Sequence, residues 1–191
     1  YNSAFGHQAL RANTTASFNS AFGFYSLLTN TIGANNTSVG YNNLRFNTTG
    51  SFNSGFGVNS LTGNTIGTHN SAFGYRTLFA NTTGSSNTAI GGFSLYTVTT
   101  ASGNTAVGRD ALAANISGSG NIGLGKGAGD NITTGNNNLA IGFETDIQTV
   151  DADSQINMLK DVISSGENIS GVTFTKDYYT SSYSNGDLER K

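Results

Sequence analysis

Carboxylates and histidines are where hydrolytic, metal or acid–base chemistry would have to begin, and in this chain of 191 residues they are sparse and badly placed for it. All eleven Asp and Glu lie at or after Asp110, so residues 1–109 hold none. A glycosidase needs an acid and a second carboxylate flanking the bond it breaks, and that stretch supplies neither. His7 and His69 are far apart, with no Cys in the chain and no paired carboxylate nearby, which is no ligand set for a transition metal. The Ser residues lack a His and an acid in company for a nucleophilic triad. The run from Gly123 through Lys126 to Gly129 superficially follows a phosphate loop, but it lacks the Lys-Ser/Thr ending, and turn geometry is the simpler reading. The expectation is a protein that is not an enzyme, with no catalytic residue, no metal and no cofactor.

What the sequence does contain is a period. Asn recurs at 2, 19, 36, 53, 70, 87, 104, 121 and 138, a constant interval without insertion or deletion, which marks one structural unit per 17-residue repeat. Each unit reads Asn, Ser/Thr, Ala, Phe/Val/Ile, Gly, two variable residues, Ala/Ser, Leu, two variable residues, then Asn-Thr-Thr/Ile-Gly; Asn70 to Gly84 is a clean copy. Charged residues make up 10% of the chain, against about 25% in ordinary globular domains. Such a composition suits disorder, but apolar residues in fixed phase argue for a buried face. A unit of this length is too short for a helix pair or propeller blade, which take about 34 to 45 residues. The prediction is all-β: a parallel β-solenoid, or β-roll, of 17-residue coils with two short strand-like stretches per coil.

Strand alternation then assigns columns. The fourth place (Phe5, Phe22, Val39, Phe56, Phe73, Ile90, Val107, Leu124, Ile141) is expected to point inward, joined by a second inward line of Leu10, Leu27, Leu44, Leu61, Leu78, Leu95 and Leu112. The Ala column (Ala4, Ala21, Ala72, Ala89, Ala106, Ala140) would then be an outward face of small residues. Gly at the fifth place, from Gly6 to Gly142, implies a positive φ or a close backbone approach in every coil. The leading Asn are placed to pass amide hydrogen bonds from coil to coil. So thin and Gly-rich a rod is expected to be stabilised by packing against identical rods, as a homo-oligomer and most simply a trimer.

The remaining candidates are surface features. Phe24, Tyr41 and Tyr75 at the sixth place, with Phe79 and Tyr96 at the tenth, could stack on sugar rings or fill the groove between protomers. Arg11, Arg45, Arg76 and Arg109 make residues 1–109 weakly basic, which suits an acidic glycan or simply keeps the rod soluble. Sequons occur at Asn13, Asn35, Asn36, Asn47, Asn81, Asn115, Asn131 and Asn168; they would matter only in a eukaryotic secretory setting, since Asn-Thr-Thr is also a good turn. Thr14, Thr31, Thr48, Thr65, Thr82 and Thr99 form a row suggestive of ice binding, although adjacent Thr residues point to opposite faces. The first four units alternate in type, as if the array grew by pairs of units.

Runs such as Asn87-Thr88-Ala89-Ile90-Gly91 and Asn104 to Leu112, with their Asn-Thr-Thr-Gly spacers, resemble repeats of phage tail-fibre-like and bacterial surface proteins. With a longer coil, they are also similar to the trimeric β-roll of trimeric autotransporter adhesin heads. The resemblance implies a structural and adhesive segment of an extracellular, cell-surface or virion fibre, a non-catalytic rod presenting a binding tip. A cell-surface glycan is the partner it suggests; nucleic acid and membrane insertion are not expected. A carbohydrate-binding rod and an ice-binding solenoid are the alternatives. Two regions are expected, the array at 1–142 and a non-repeat cap or neck at 143–191. In the latter, Ser154 to Ile163 reads as a short helix or strand and Gly171 to Thr175 as a strand, while the Tyr/Ser-rich segment Asp177 to Tyr183 loosely resembles the stretch before tail-fibre chaperone domains. Tyr1 sits at the last place of a unit and no Cys or signal segment is present, so the chain reads as a piece of a longer fibre.

Overall fold

The computed structural model describes residues 1–147 and 151–158. It is a β-solenoid with one three-residue strand per coil: β1 (Ser3–Phe5), β2 (Ser20–Phe22), β3 (Thr37–Val39), β4 (Ser54–Phe56), β5 (Ser71–Phe73), β6 (Thr88–Ile90), β7 (Thr105–Val107), β8 (Ile122–Leu124), β9 (Leu139–Ile141) and β10 (Ile156–Met158). They form one parallel sheet in sequence order. Every pairing is offset by one full repeat, as in Ala72↔Ala89, so residues of equal phase lie directly above one another. The expected solenoid and its period are therefore present. The array also runs past residue 142, because β10 pairs with β9 in the same register. There Gln155 takes the Asn place, its backbone N–H donating to Asn138 Oδ1 at 2.8 Å. The expected elements from residue 159 onward, Gly171 to Thr175 and the Tyr/Ser-rich segment included, lie outside the described residues.

Two expectations are corrected. The first is the polarity of the strand. Ala21, Ala72, Ala89, Ala106 and Ala140 are fully buried, whereas Phe22, Phe73, Ile90 and Val107 of the fourth place are 44, 39, 42 and 37% exposed. The Ala column lines the interior and the large apolar column faces out. The cause is the width of the coil: Leu27, Leu44, Leu61, Leu78, Leu95 and Leu112 fill the lumen with no exposure, leaving room opposite only for a small side chain, Ala or the internally hydrogen-bonded Ser38. At Gly55 and Gly123 even the methyl is absent. A Cβ on Gly55 would come within 2.1 Å of Asn43 Oδ1, and one on Gly123 within 2.9 Å of Leu112 Cγ. At coil eight the Leu itself is replaced by Gly129, and Ile132 is buried in its stead.

The second correction concerns the expected second strand around Leu, which is a turn instead. The Leu column has φ between 49 and 52°, and the seventh place (Tyr25, Asn42, Asn59, Arg76, Phe93, Asp110) is left-handed as well. Left-handed backbone costs about 1–2 kcal/mol per L-residue, which a fully buried Leu, worth about 1.5–3 kcal/mol, offsets. Branching at Cβ would make that conformation an outlier, which accounts for Leu rather than Val or Ile at this place. The fifth-place Gly, with φ of 114–139°, meets both conditions the sequence left open. A Cβ on Gly23 would lie 2.2 Å from the carbonyl oxygen of Gly40.

Two buried Asn ladders hold the coils in step. In the leading ladder the side-chain carbonyl accepts the backbone N–H of the next Asn, as Asn36 N–H to Asn19 Oδ1 at 2.9 Å, and the amide nitrogen donates to a turn carbonyl, as Asn36 Nδ2 to Gly50 O at 2.9 Å. The ladder is thus mainly amide to backbone. The true amide-to-amide ladder is at the twelfth place, where Asn47, Asn64 and Asn81 each donate to the Asn one coil back at 2.7–2.8 Å. It ends at Asn81, whose Oδ1 is buried without a partner because Val98 occupies the next rung.

Candidate functional surface

The outward side of the sheet presents the fourth-place column beside the second place, which is Ser or Thr in coils one to seven and Ile122, Leu139 and Ile156 beyond, with a rim on each side. One rim is the exposed seventeenth place, including Phe18 and Phe52; the other is the sixth place, including Phe24, Tyr41, Val58 and Tyr75, which are 39–47% exposed. The second and fourth places carry no charged residue in any coil. Phe56 and Phe73 are stacked 4.9 Å apart with planes 7° from parallel, the spacing that register imposes. An apolar stripe on a face without charge is the largest departure of this surface from an ordinary soluble one.

Of the aromatic residues proposed to stack on sugars, Phe24 and Tyr41 stack on each other, centroids 5.5 Å apart, and so do Phe79 and Tyr96 at 5.5 Å. His7 stacks on Phe24 at 5.0 Å and His69 on Phe52 at 4.8 Å. Rings piled coil on coil cover one another's faces and turn their edges to solvent, whereas a sugar needs a face. Tyr75 meets Phe93 edge-to-face. Both His thus sit in aromatic stacks, and among the described residues no three His, Cys, Asp or Glu cluster as a metal would require. In the Gly123–Gly129 run, Gly125, Gly127 and Gly129 occupy the positive-φ places of the coil, so repeat geometry accounts for that motif.

The sequons divide by burial. Asn36, Asn47, Asn81 and Asn115 are fully buried within the ladders or turns, so the folded coil has no room for a glycan on them. Asn35 is exposed, Asn13 and Asn131 are half-buried, and Asn168 lies outside the described residues. In the Thr row, the hydroxyls of Thr31, Thr48, Thr65 and Thr82 donate to the next coil's Thr carbonyl at 2.9–3.0 Å. Those donors are occupied by the rod itself. The neighbouring fourteenth place alternates Thr with exposed Ile32 and Ile66, so no regular hydroxyl lattice faces out there.

Charge separates the two ends. Arg45 Cζ lies 4.8 Å from the Tyr25 ring centroid and 5.0 Å from that of Phe46; Arg76 Cζ lies 5.3 Å from Tyr75 and 5.4 Å from Phe79. Arg109 pairs with Asp110 at 3.1 Å and Lys126 with Glu144 at 2.7 Å. At the far end, Asp130 is raised to about 6, first by burial, then by a hydrogen bond with Asp146 and the charges of Asp146, Asp110 and Glu144. Asp151 is held below the usual carboxylate range by the hydroxyls of Thr133 and Thr134. Among the described residues no helix is long and apolar enough to cross a membrane. Comparison of the chain with protein-family models, with curated proteins and with solved structures returns no match.

Proposed function

We propose that this chain is a structural and adhesive segment of an extracellular, cell-surface or virion fibre, a non-catalytic rod that self-associates, as a trimer, and holds a binding tip at a distance. The observation that carries the reading is the apolar fourth-place column, outward and uncharged along nine coils. Eight coil steps of about 4.8 Å make it roughly 38 Å long, and the span from the seventeenth to the sixth place makes it about 20 Å wide. The resulting area, about 800 Å² per partner, is what a stable protein–protein interface uses. Identical rods meet such a stripe with one of equal period, so one favourable contact repeats in every coil. The Ala column, being buried, offers no face for packing, and the outward column supplies a larger apolar one. The covered ring faces and engaged Thr hydroxyls favour this reading over a sugar-stacking or ice-binding rod.

Light scattering of the whole chain tests it. The expected mass is a multiple of the 19.8 kDa protomer. Phe56→Asp with Phe73→Asp, which put charge on the stripe and leave the lumen alone, are expected to give the protomer mass with unchanged circular dichroism. A parent chain that runs as a monomer at all concentrations would sink the proposal.

A further inference from the structure

Four Arg occur in residues 1–109, and they occupy every second coil: Arg11, Arg45, Arg76 and Arg109 stand on coils one, three, five and seven, at the tenth, tenth, seventh and sixth places. Those places form one edge of the rod. Arg11 at the tenth place bonds Gln8 at the seventh, and Arg76 at the seventh lies over Phe79 at the tenth. Two coil steps are about 9.6 Å, so the edge carries an Arg roughly every 10 Å of the axis, with the Arg45 guanidinium resting over Tyr25 of coil two. Arg109 is neutralised by Asp110. Arg45 and Arg76 are not: no carboxylate exists in residues 1–109, they make no side-chain hydrogen bond, and the Nε of each is buried without a partner. Each guanidinium is instead parked over two aromatic rings, which fixes its plane while leaving its N–H donors to be used. Between them coil four presents only Val58, Asn59 and Gly63 at the edge, with Thr62 buried and bonded to Asn42 O, while coils three and five flank it with Tyr41, Arg45 and Phe46 on one side and Tyr75, Arg76 and Phe79 on the other. Asn42 Oδ1, beside this strip, is a further buried atom with no partner.

We infer that this edge is a binding track for an extended acidic polysaccharide, with successive carboxylates or sulfates pairing with Arg45 and with Arg76 on either side of coil four. The charge density selects the polymer. Duplex DNA carries a charge about every 1.7 Å of its axis, far denser than a guanidinium every two coils. A glycan with one anionic group on every second sugar is sparse enough to match. Planar guanidinium forks suit carboxylate and sulfate oxygens. The inference gives a ligand class to the adhesive part of the proposed function and rests on that reading only for the presence of a ligand. Arg11, Arg45 and Arg76 lie off the apolar stripe, and only Arg109, already paired with Asp110, stands on its sixth-place rim, so the two tests fail separately.

The experiment is a titration of the whole chain with hyaluronan oligosaccharide, which bears a carboxylate on every second sugar, alongside neutral dextran and a single-stranded oligonucleotide. Hyaluronan is expected to bind, more weakly as salt rises, and dextran not at all. Arg45→Gln and Arg76→Gln should each weaken binding about tenfold, the loss of one charged hydrogen-bonding group. Lys176→Gln, the same change in net charge elsewhere in the chain, should leave it unaltered. Light scattering and circular dichroism of each variant, expected to match the parent, separate a lost ligand from a lost assembly. The inference is overturned by no binding to the parent chain, by equal loss in Lys176→Gln, or by an oligonucleotide that binds as tightly as hyaluronan.

Discussion

Replacing Asn64 by Ala removes an interior rung of the twelfth-place ladder, and the geometry fixes what is lost. Asn64 Nδ2 donates to Asn47 Oδ1 at 2.7 Å and to Gly67 O at 3.0 Å, while its Oδ1 accepts from Asn81 Nδ2 at 2.8 Å, all with no exposure to solvent. Two of the orphaned groups keep a second partner: Gly67 O still accepts from Asn53 Nδ2 at 2.8 Å, and Asn81 Nδ2 still donates to Gly84 O at 3.0 Å. Asn47 Oδ1 is left buried with no donor, a cost of about 1–3 kcal/mol, and the lost bonds add about 1 kcal/mol more. The expected destabilisation is therefore about 3 kcal/mol. Asn64→Asp should cost more, because a carboxylate cannot donate and faces the Asn47 carbonyl with a second acceptor. At the ladder's open end the same truncation is mild. Asn13 is half-buried, bonds Asn30 at 3.3 Å, and can be replaced by water, so Asn13→Ala should cost under about 1 kcal/mol. Urea unfolding followed by circular dichroism, at one fixed protein concentration, measures all three. Asn64→Ala within about 1 kcal/mol of the parent, or no worse than Asn13→Ala, would show that the amides merely occupy space and the ladder reasoning is wrong.

Leu61→Ile retains volume but branches at Cβ where φ is 50°. It should lower stability by about 2 kcal/mol or more, while unbranched Leu61→Met costs less than about 1.5 kcal/mol; thermal melts giving the reverse order would contradict the left-handed assignment. Asp130 gives the pH dependence. Its carboxyl titrates near 6 in the folded chain against 3.8 for the free group, so the folded state holds a proton that the unfolded state has released. The contribution is fully present below about pH 3.8 and lost as pH rises through about 6. Unfolding midpoints between pH 4 and 7 should therefore include a falling component that Asp130→Asn removes; an unchanged profile in that variant would refute it.

The twelfth-place Asn were legible only as turn signals, because Asn-Thr-Thr-Gly is good turn chemistry whether or not the amide is inside. Their role as rungs depends on burial, which no spacing reports. The carboxylate-free first half and the Arg of alternate coils, by contrast, could be read directly; what the fold added was that four Arg at three different places in the unit share one edge. Coil ten was missed because Gln155 replaces Asn and Leu159 stands where Gly is expected, though β10 keeps the register through its backbone.

By itself the sequence determined the period, the parallel register and the Gly at which adjacent coils touch, since these follow from identical residues recurring at one interval. It also determined that Ala and the Phe/Val/Ile column lie on opposite faces. Which of the two faces is inside was decided only by the tertiary structure. Alternation is a relation between neighbours and carries no sign. The sign came from Leu27 and its equivalents, which reach the lumen from a left-handed turn and fill so short a coil so completely that only a side chain as small as Ala or Ser fits opposite.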